Sequence, residues 1–96
     1  MKAFEWIDRV KSARGIESDY AAAKLLGVKQ SNITIYRKKE STMDEDASIN
    51  VARLLGIAPA GVILDQAAER VKSPEVRATL LAEAAKMCSR NVYYVK

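Results

Sequence analysis

The sequence is poor in the residues that build metal centres and disulfides. Among its 96 residues there is no histidine, and Cys88 is the single cysteine. One cysteine cannot close an intramolecular disulfide, so no oxidising compartment is implied. A zinc site would need carboxylate ligands alone, whereas zinc in proteins prefers histidine nitrogen and cysteine sulfur. We therefore expect no bound metal.

Long apolar runs are also absent. The longest, residues 57–64, contains Pro59 and Gly61, and it is far shorter than the roughly 20 apolar residues of a membrane-spanning helix. At the amino terminus, Lys2 and Glu5 bring charge into the sequence too early for the apolar core of a secretory signal. We expect a cytoplasmic protein with no membrane contact.

Catalytic motifs are missing as well. The chain has no histidine base, no glycine-rich phosphate loop, and no nucleophile with a suitable partner nearby. The acidic cluster Asp44-Glu45-Asp46 precedes a predicted helix, where negative charge stabilises the helix N-terminus, and it lacks the spacing of a calcium-binding loop. The sequence therefore predicts no enzyme, no cofactor and no small-molecule ligand.

What the sequence does contain is positive charge concentrated in one part. Residues 1–40 carry nine Lys and Arg against five Asp and Glu, which accounts for the whole net charge of +4, while residues 41–96 carry seven of each sign. A basic part beside a neutral part indicates an anionic partner for the first and a protein surface for the second. On charge alone, a merely solvated basic face is an equally good explanation.

Apolar residues recur at helical spacing along the chain, and helix-capping residues separate the segments. The first predicted helix has an apolar side that includes Trp6 as a core residue, and it ends at Gly15. Ser18 is the predicted N-cap of the second helix, which ends at Gly27. The third helix is predicted over residues 30–38.

Two further helices follow directly. Thr42 and Glu45 have the spacing of a capping box and open a fourth helix that ends at Gly56. Pro59 suits the first turn of a fifth helix. The residues of the fifth helix that are predicted to face inward are Val62, Ile63, Ala67 and Val71.

The sixth helix is predicted over residues 76–87, after the N-cap Ser73. Its expected apolar side consists of Leu80, Leu81 and Ala84. Residues 91–95 could form a short strand or an ordered tail, in which Tyr93 and Tyr94 are candidates for an interface. No segment alternates convincingly between polar and apolar residues, so the predicted fold class is all-α.

Residues 19–39 have the features of two helices that cross steeply through a short turn. A small residue is needed at the crossing, which is Ala23, and a residue that tolerates positive φ is needed four positions later, which is Gly27. Val28 would then plug the turn into the core. The expected inward anchors of the second helix are Ile33 and Tyr36, and its expected outward residues are Gln30, Ser31, Thr34, Ile35 and Lys38.

This region resembles the Cro/CI-type (XRE-like) helix-turn-helix regulators, a family of phage and prophage repressors. The similarity rests on Ala23-Lys-Leu-Leu-Gly27-Val-Lys-Gln30-Ser-Asn-Ile33 and on the later Val51-Ala-Arg-Leu-Leu-Gly56-Ile57. It covers residues 18–57 of the 96. The resemblance implies a lambda-repressor-like bundle of about four helices, here followed by a C-terminal two-helix hairpin. It also implies that the helix beginning at Gln30 enters the major groove of DNA while the preceding helix abuts the backbone.

On this resemblance, the candidate base-reading residues are Lys29, Gln30, Ser31, Thr34 and Ile35. Gln30 can pair with adenine through two hydrogen bonds, Lys29 can reach phosphate or a guanine edge, and Ile35 can meet a thymine methyl group. The candidate phosphate contacts are Ser18, Asn32, Arg37, Lys38 and Lys39. The alternative for each of these residues is that it is an ordinary surface residue on a packed helix and does not contact DNA.

Several residues depart from the family's pattern. Asp19 stands where a phosphate-contacting glutamine is common, and a carboxylate there would repel phosphate. Ala22 replaces a more usual leucine, and Lys29 stands where Ser or Thr often caps the recognition helix. In the family this helix usually ends with an acid followed by a glycine, whereas here the ending is Arg37-Lys-Lys-Glu40. These departures leave the expected fold intact and make the DNA sequence that is bound unpredictable.

We expect residues 1–57 to form the DNA-binding core, complete by Gly56, and residues 58–96 to form a helical hairpin packed on it within one domain. One short recognition helix reads few base pairs, so helix-turn-helix proteins commonly bind palindromic sites as two-fold dimers. The hairpin, together with residues 92–95, is therefore predicted to form a homodimer interface. The alternative is that the hairpin buries its apolar residues within its own chain.

The predicted function is sequence-specific double-stranded DNA binding by a small transcriptional regulator of the phage or prophage repressor or Cro kind, acting at its own operator. Two alternatives stay open. The chain could be a protein-interaction adaptor that uses the same scaffold to bind an acidic partner through residues 29–39. It could also be an antitoxin that binds its own operator.

Overall fold

The computed structural model describes residues 1–89, and all regular structure in that part of the chain is α-helical. The helices are α1 (Ala3–Arg14), α2 (Asp19–Leu26), α3 (Gln30–Lys39), α4 (Glu45–Leu55), α5 (Pro59–Arg70) and α6 (Pro74–Cys88). The predicted all-α class is confirmed for these residues. The expectations for residues 91–96, including an interface role for Tyr93 and Tyr94, lie outside the described part.

Most helix ends follow from local chemistry, as predicted. α1, α2 and α4 end at Gly15, Gly27 and Gly56, each with a left-handed backbone conformation. Ser18 caps α2 by accepting a hydrogen bond from the backbone N–H of Ala21 at 3.1 Å. Ser73 caps α6 in the same way, accepting from the backbone N–H of Val76.

α4 begins differently from the prediction. Its N-cap is Asp44, whose side chain accepts a hydrogen bond from the backbone N–H of Ala47 at 2.8 Å. Thr42 lies before the helix, where its hydroxyl oxygen accepts a hydrogen bond from Arg70 Nε at 2.8 Å. The predicted capping box of Thr42 and Glu45 is therefore wrong, because the Asp44 carboxylate caps as well as a hydroxyl does.

Most of the core is built from the inward faces of α1 to α4. Trp6, predicted to be a core residue, is only 1 % exposed. It packs with buried apolar residues from every one of these helices and from the α3–α4 loop, including Ile7, Val10, Leu26, Ile33, Met43 and Val51. Burial of these side chains supplies the main driving force for folding.

α5 belongs to the same core, so the core is not complete at Gly56. Val62 is fully buried in the same cluster as Trp6. The buried carboxylate of Asp65 accepts a hydrogen bond from Trp6 Nε1 at 2.8 Å. The next residue, Gln66, accepts a hydrogen bond from the backbone N–H of Met43 at 2.8 Å. Of the predicted inward residues of α5, Ile63, Ala67 and Val71 are only half-buried.

α6 packs mainly on α5. Ala84 is its one buried residue, and Leu80 and Leu81 on the same side are half-buried. The two helices approach closely where Gly61 faces Cys88. Nothing in residues 1–89 forms a helix long and apolar enough to cross a membrane.

Candidate nucleic-acid interface

The two faces of α3 differ completely in their surroundings. Ile33 and Tyr36 are buried in the core. Away from the core, the side chains are exposed along the whole of α3 and at its N-cap residue. The exposed residues are Lys29, Gln30, Ser31, Asn32, Thr34, Ile35, Lys38 and Lys39. Ile35 stands out because it is apolar and still 44 % exposed. All five candidate base-reading residues therefore lie on one uncovered surface, which we call the α3 face.

The turn that presents this face has the predicted construction. α2 and α3 are joined by residues 27–29. Gly27 has φ = +72°, a conformation that L side chains rarely adopt. The N–H of Val28 donates to the carbonyl oxygen of Ala23 at 3.0 Å, and the Val28 side chain packs against the core cluster. Ala22 and Ala23 are both buried, so small residues occupy the inner side of α2.

The amino end of α3 has no side-chain cap. Lys29 occupies the N-cap position and makes no capping hydrogen bond. Uncapped amides at a helix N-terminus attract anions, because the peptide dipoles add positive potential there. Further along the helix, the Thr34 hydroxyl group donates to the carbonyl oxygen of Gln30 at 3.3 Å. The start of α3 thus has both a flexible ammonium group and free backbone donors.

Four lysines on α3 or shortly before it in the chain form no ion pair in the described residues. Lys24, Lys29, Lys38 and Lys39 are exposed, and none of them forms an ion pair within residues 1–89. Part of the positive charge of residues 1–40 is therefore present at the surface without an ion-pair partner among residues 1–89. Such charge attracts polyanions over distances comparable to the Debye length.

Arg37 is placed differently from these lysines. Its guanidinium group donates to both oxygens of Asp19, each at 2.8 Å, and to Asp8 Oδ1 at 2.7 Å. These contacts raise the pKa of Arg37 above its ordinary value. Among the candidate phosphate contacts, Lys38 and Lys39 on α3 have free ammonium groups, whereas the Arg37 side chain is occupied by carboxylates.

Asp19 is the partner of Arg37. Lys11 Nζ also contacts Asp19 Oδ1 at 3.0 Å. The hydrogen bond from Arg37, helped by the one from Lys11, lowers the pKa of Asp19 to about 2. Its negative charge is thus compensated inside the molecule. The hydroxyl of Ser18, beside it, accepts the capping hydrogen bond of α2 and remains exposed.

A second surface, not found from the sequence, lies between the C-terminal ends of α2 and α4. It is a groove of about 330 Å³ lined by Lys24, Leu25, Leu26, Gly27, Asn50, Arg53 and Leu54. Asn50 donates to the carbonyl oxygen of Leu26 and accepts from Arg53, which fixes one wall. Sequence analysis does not reveal this groove, because its two walls are separated by more than twenty residues in the chain.

No protein-family model, no curated protein and no solved structure matches this chain. Among residues 1–89, no group of acidic side chains and cysteine is arranged to hold a metal ion.

Proposed function

We propose that this protein binds double-stranded DNA in a sequence-specific manner as a small transcriptional regulator, with α3 as the recognition helix. The observation that carries the proposal is the α3 face. It is uncovered by the rest of the described chain, and lysines without acidic partners lie at both of its ends. A helix with these properties fits the major groove, which admits one α-helix.

The side chains on the α3 face divide naturally between two tasks. Gln30 and Ser31, in the first turn, are placed to reach base edges, and the exposed Ile35 can contact a thymine methyl group. Lys38 and Lys39, at the other end, are suited to the phosphate backbone. Because the Thr34 hydroxyl donates its hydrogen to Gln30, its oxygen is better placed to accept from a base than to donate.

The lambda-repressor-like arrangement of α1 to α4, and a role as a phage or prophage repressor or Cro-like protein, belong to the same proposal. Support comes from the three-residue turn with positive φ at Gly27, from the small residues on the inner side of α2, and from the following helix α4. Two helices joined through such a turn are the arrangement used by helix-turn-helix proteins.

We also propose that two copies associate through α6 and bind a palindromic operator. Val76 is 46 % exposed near the start of α6, and Ala78, Ala82 and Ala85 are exposed on another side of the same helix. Two-fold association would place two α3 faces on successive major grooves, about 34–36 Å apart. Sedimentation at micromolar concentration should give a dimer mass, and a strict monomer both free and on DNA would contradict this part of the proposal.

A protein-binding role is the second candidate function, and the α2–α4 groove is the observation that favours it. Leu25, on its rim, is 40 % exposed, and Lys24 and Arg53 bring two cations to the same groove. An acidic segment with an apolar anchor would complement this surface. The groove lies beside the turn rather than on the α3 face, so both roles could be tested separately by substitution.

The direct test of DNA binding is selection from a pool of randomised duplexes with excess nonspecific competitor, alongside DNA upstream of the protein's own gene. We expect an enriched sequence. With it, Gln30→Ala should lose about 1–3 kcal/mol of discrimination at one or two base pairs. Lys38→Ala should weaken binding to all sequences and reduce the salt slope by about 0.9, as one phosphate contact is lost.

Lys72→Ala is the control, since Lys72 is exposed in the loop between α5 and α6 and, like Lys38, forms no ion pair within residues 1–89. It should leave both the discrimination and the salt slope unchanged. If the pool yields no enriched sequence, or if all three variants bind like the parent while folded, then the assignment of α3 to the major groove is wrong.

A further inference from the structure

Resting on the proposed function, we propose that Arg37 is a positioning residue, which sets the angle of α3 through Asp8 and Asp19 instead of binding a DNA phosphate. We call Asp8, Lys11, Asp19 and Arg37 the Arg37 network. Its role would be to keep the α3 face in the orientation that reads bases, and thereby to contribute to sequence specificity without touching DNA.

The network joins three helices at one place. Asp8 and Lys11 lie on α1, Asp19 is the first residue of α2, and Arg37 lies in the last turn of α3. Arg37 Nε and Nη2 donate to the two oxygens of Asp19, each at 2.8 Å. The same guanidinium group contacts both oxygens of Asp8, at 2.7 and 3.4 Å. A planar guanidinium bound by two oxygens fixes direction as well as distance.

α3 needs such a third point of attachment. Its buried anchors are Ile33 and Tyr36 alone, and both lie on one line along the helix. Its amino end has no side-chain cap, and Lys38 and Lys39 beyond the anchors are exposed. Apolar contacts on one line restrain rotation of a helix about that line less than hydrogen bonds do, because dispersion contacts are not directional. Arg37 restrains that rotation through directional bonds to α1 and α2.

The charges of the network explain why Arg37 would contribute little to phosphate binding. Two carboxylates and two cations sum to zero, so the network adds no net attraction for a polyanion. The Nε and Nη2 hydrogens of Arg37 are taken by Asp19 and Asp8, so only Nη1 keeps an N–H for a phosphate, and the two carboxylates beside it would repel that phosphate. The ammonium groups of Lys38 and Lys39 have no carboxylate bound to them.

The test uses the full chain and the enriched duplex, with a scrambled duplex for nonspecific affinity, across a range of salt concentrations. Arg37→Gln together with Asp19→Asn removes the network's central ion pair and preserves the net charge. We expect the ratio of specific to nonspecific affinity to fall about tenfold or more, which corresponds to roughly 1.4 kcal/mol. The salt slope should stay within about 0.3 of the parent's, since no phosphate contact is lost.

Two single variants distinguish a positioning role of Arg37 from phosphate binding. Asp19→Asn alone leaves Arg37 held by the Asp8 carboxylate only, so we expect specificity to fall while the salt slope rises by less than the roughly 0.9 of a full phosphate contact. Lys38→Ala is the matched control and should lower the slope while keeping the specificity ratio. Circular dichroism and thermal unfolding must show each variant folded at the assay temperature. A double variant that is no longer folded there is replaced by Arg37→Lys, which keeps the charge and loses the two-point geometry.

The outcomes separate the inference from the function it rests on. If the double variant or Arg37→Lys keeps the parent's specificity ratio, the positioning role is wrong. If Arg37→Gln alone behaves like Lys38→Ala, weakening all DNA equally and lowering the salt slope by about 0.9, Arg37 is a phosphate ligand. A parent chain that enriches no sequence overturns the proposed function, and the inference with it.

Discussion

α5 and α6 are the two arms of one hairpin, yet they are attached to the rest of the molecule very differently. α5 buries Val62 in the core and sends Asp65 and Gln66 to partners on α1 and in the α3–α4 loop. α6 buries Ala84 alone and packs mainly on α5. The difference divides the hairpin by role: α5 is part of the unit that holds α3, and α6 is an added layer.

The physical reason for this division is the polar network beneath α5. Trp6 Nε1 and the N–H of Met43 are buried donors, and a buried donor without an acceptor is costly. Asp65 and Gln66 are those acceptors. Gln66 also donates to the carbonyl oxygen of Met1 at 2.9 Å. α6 supplies no comparable contact to α1 or to the α3–α4 loop among the described residues, so the core does not depend on it in the same way.

The largest effect should come from breaking the attachment of α5. Asp65→Ala removes the acceptor of Trp6 Nε1 and a partner of the Met1 ammonium group at 2.9 Å. We expect a loss of about 2–4 kcal/mol in the free energy of unfolding, measured by urea denaturation. Asp65→Asn keeps an acceptor and should lose clearly less. Val76→Ala on α6 should cost under about 0.5 kcal/mol.

If Asp65→Ala and Val76→Ala were equally mild, α5 would be an added layer like α6, and the core would end at α4. If both were severe, the hairpin would be a single cooperative part of the core.

Much of this organisation can be predicted from sequence, because it depends on neighbours in the chain. Gly15, Gly27 and Gly56 mark helix ends through their own backbone freedom, and the serine caps act within three residues. The exposed α3 face follows from the spacing of Ile33 and Tyr36 in the same helix. These features need no knowledge of tertiary packing.

The rest depends on residues that meet only after folding. Trp6 and Asp65 are 59 positions apart, and an acid in an apolar helix face gives no hint of the indole it will meet. Likewise, Arg37 is predicted as one basic residue among three, and only the structure places it against Asp8 and Asp19. The bond from Arg70 of α5 to the Thr42 hydroxyl is of the same kind, because the two residues are 28 positions apart.

A medium effect is expected from forcing α5 and α6 apart. A Cβ atom at Gly61 would lie 2.6 Å from Cys88 Sγ and 3.0 Å from the backbone nitrogen of Cys88. Gly61→Ala should therefore destabilise the chain by about 1–2 kcal/mol, since overpacking outweighs the better helix propensity of alanine. Because α6 is the layer displaced, nonspecific DNA binding should persist while dimer formation weakens.

Sedimentation and salt-dependent mobility shifts check this prediction together. Cys88→Ala is the control, because it removes the sulfur without adding bulk, and combined with Gly61→Ala it should restore part of the lost stability. A Gly61→Ala chain that loses nonspecific DNA binding along with stability would mean that α6 supports the α3 face directly.

The smallest effect concerns Glu69 of α5, which accepts hydrogen bonds both from the N-terminal residue Met1 and from Arg77 of α6. It accepts from the Met1 ammonium group at 3.2 Å and from Arg77 of α6 at 3.0 Å, and Lys2 lies 3.8 Å away. Burial alone would raise its pKa, but the hydrogen bond and the charge of the Met1 ammonium group, with help from Arg77 and Lys2, outweigh burial and lower it. The charged form is therefore favoured in the folded state.

A lowered pKa makes the contribution of Glu69 depend on pH in a definite direction. It is fully present above the unfolded value of about 4.3 and is lost as pH falls through the lower folded value. Glu69→Gln should cost about 1 kcal/mol or less at pH 7 and at pH 6, and the difference from the parent should shrink below about pH 4. Glu83→Gln, on the exposed side of α6 beside Lys86, is the control and should change the free energy of unfolding at pH 7 by less than about 0.5 kcal/mol. If the stability curves of the parent and Glu69→Gln stayed parallel down to pH 3, Glu69 would not join α6 to the core by charge. The packing at Gly61 and Ala84 would then be what attaches α6.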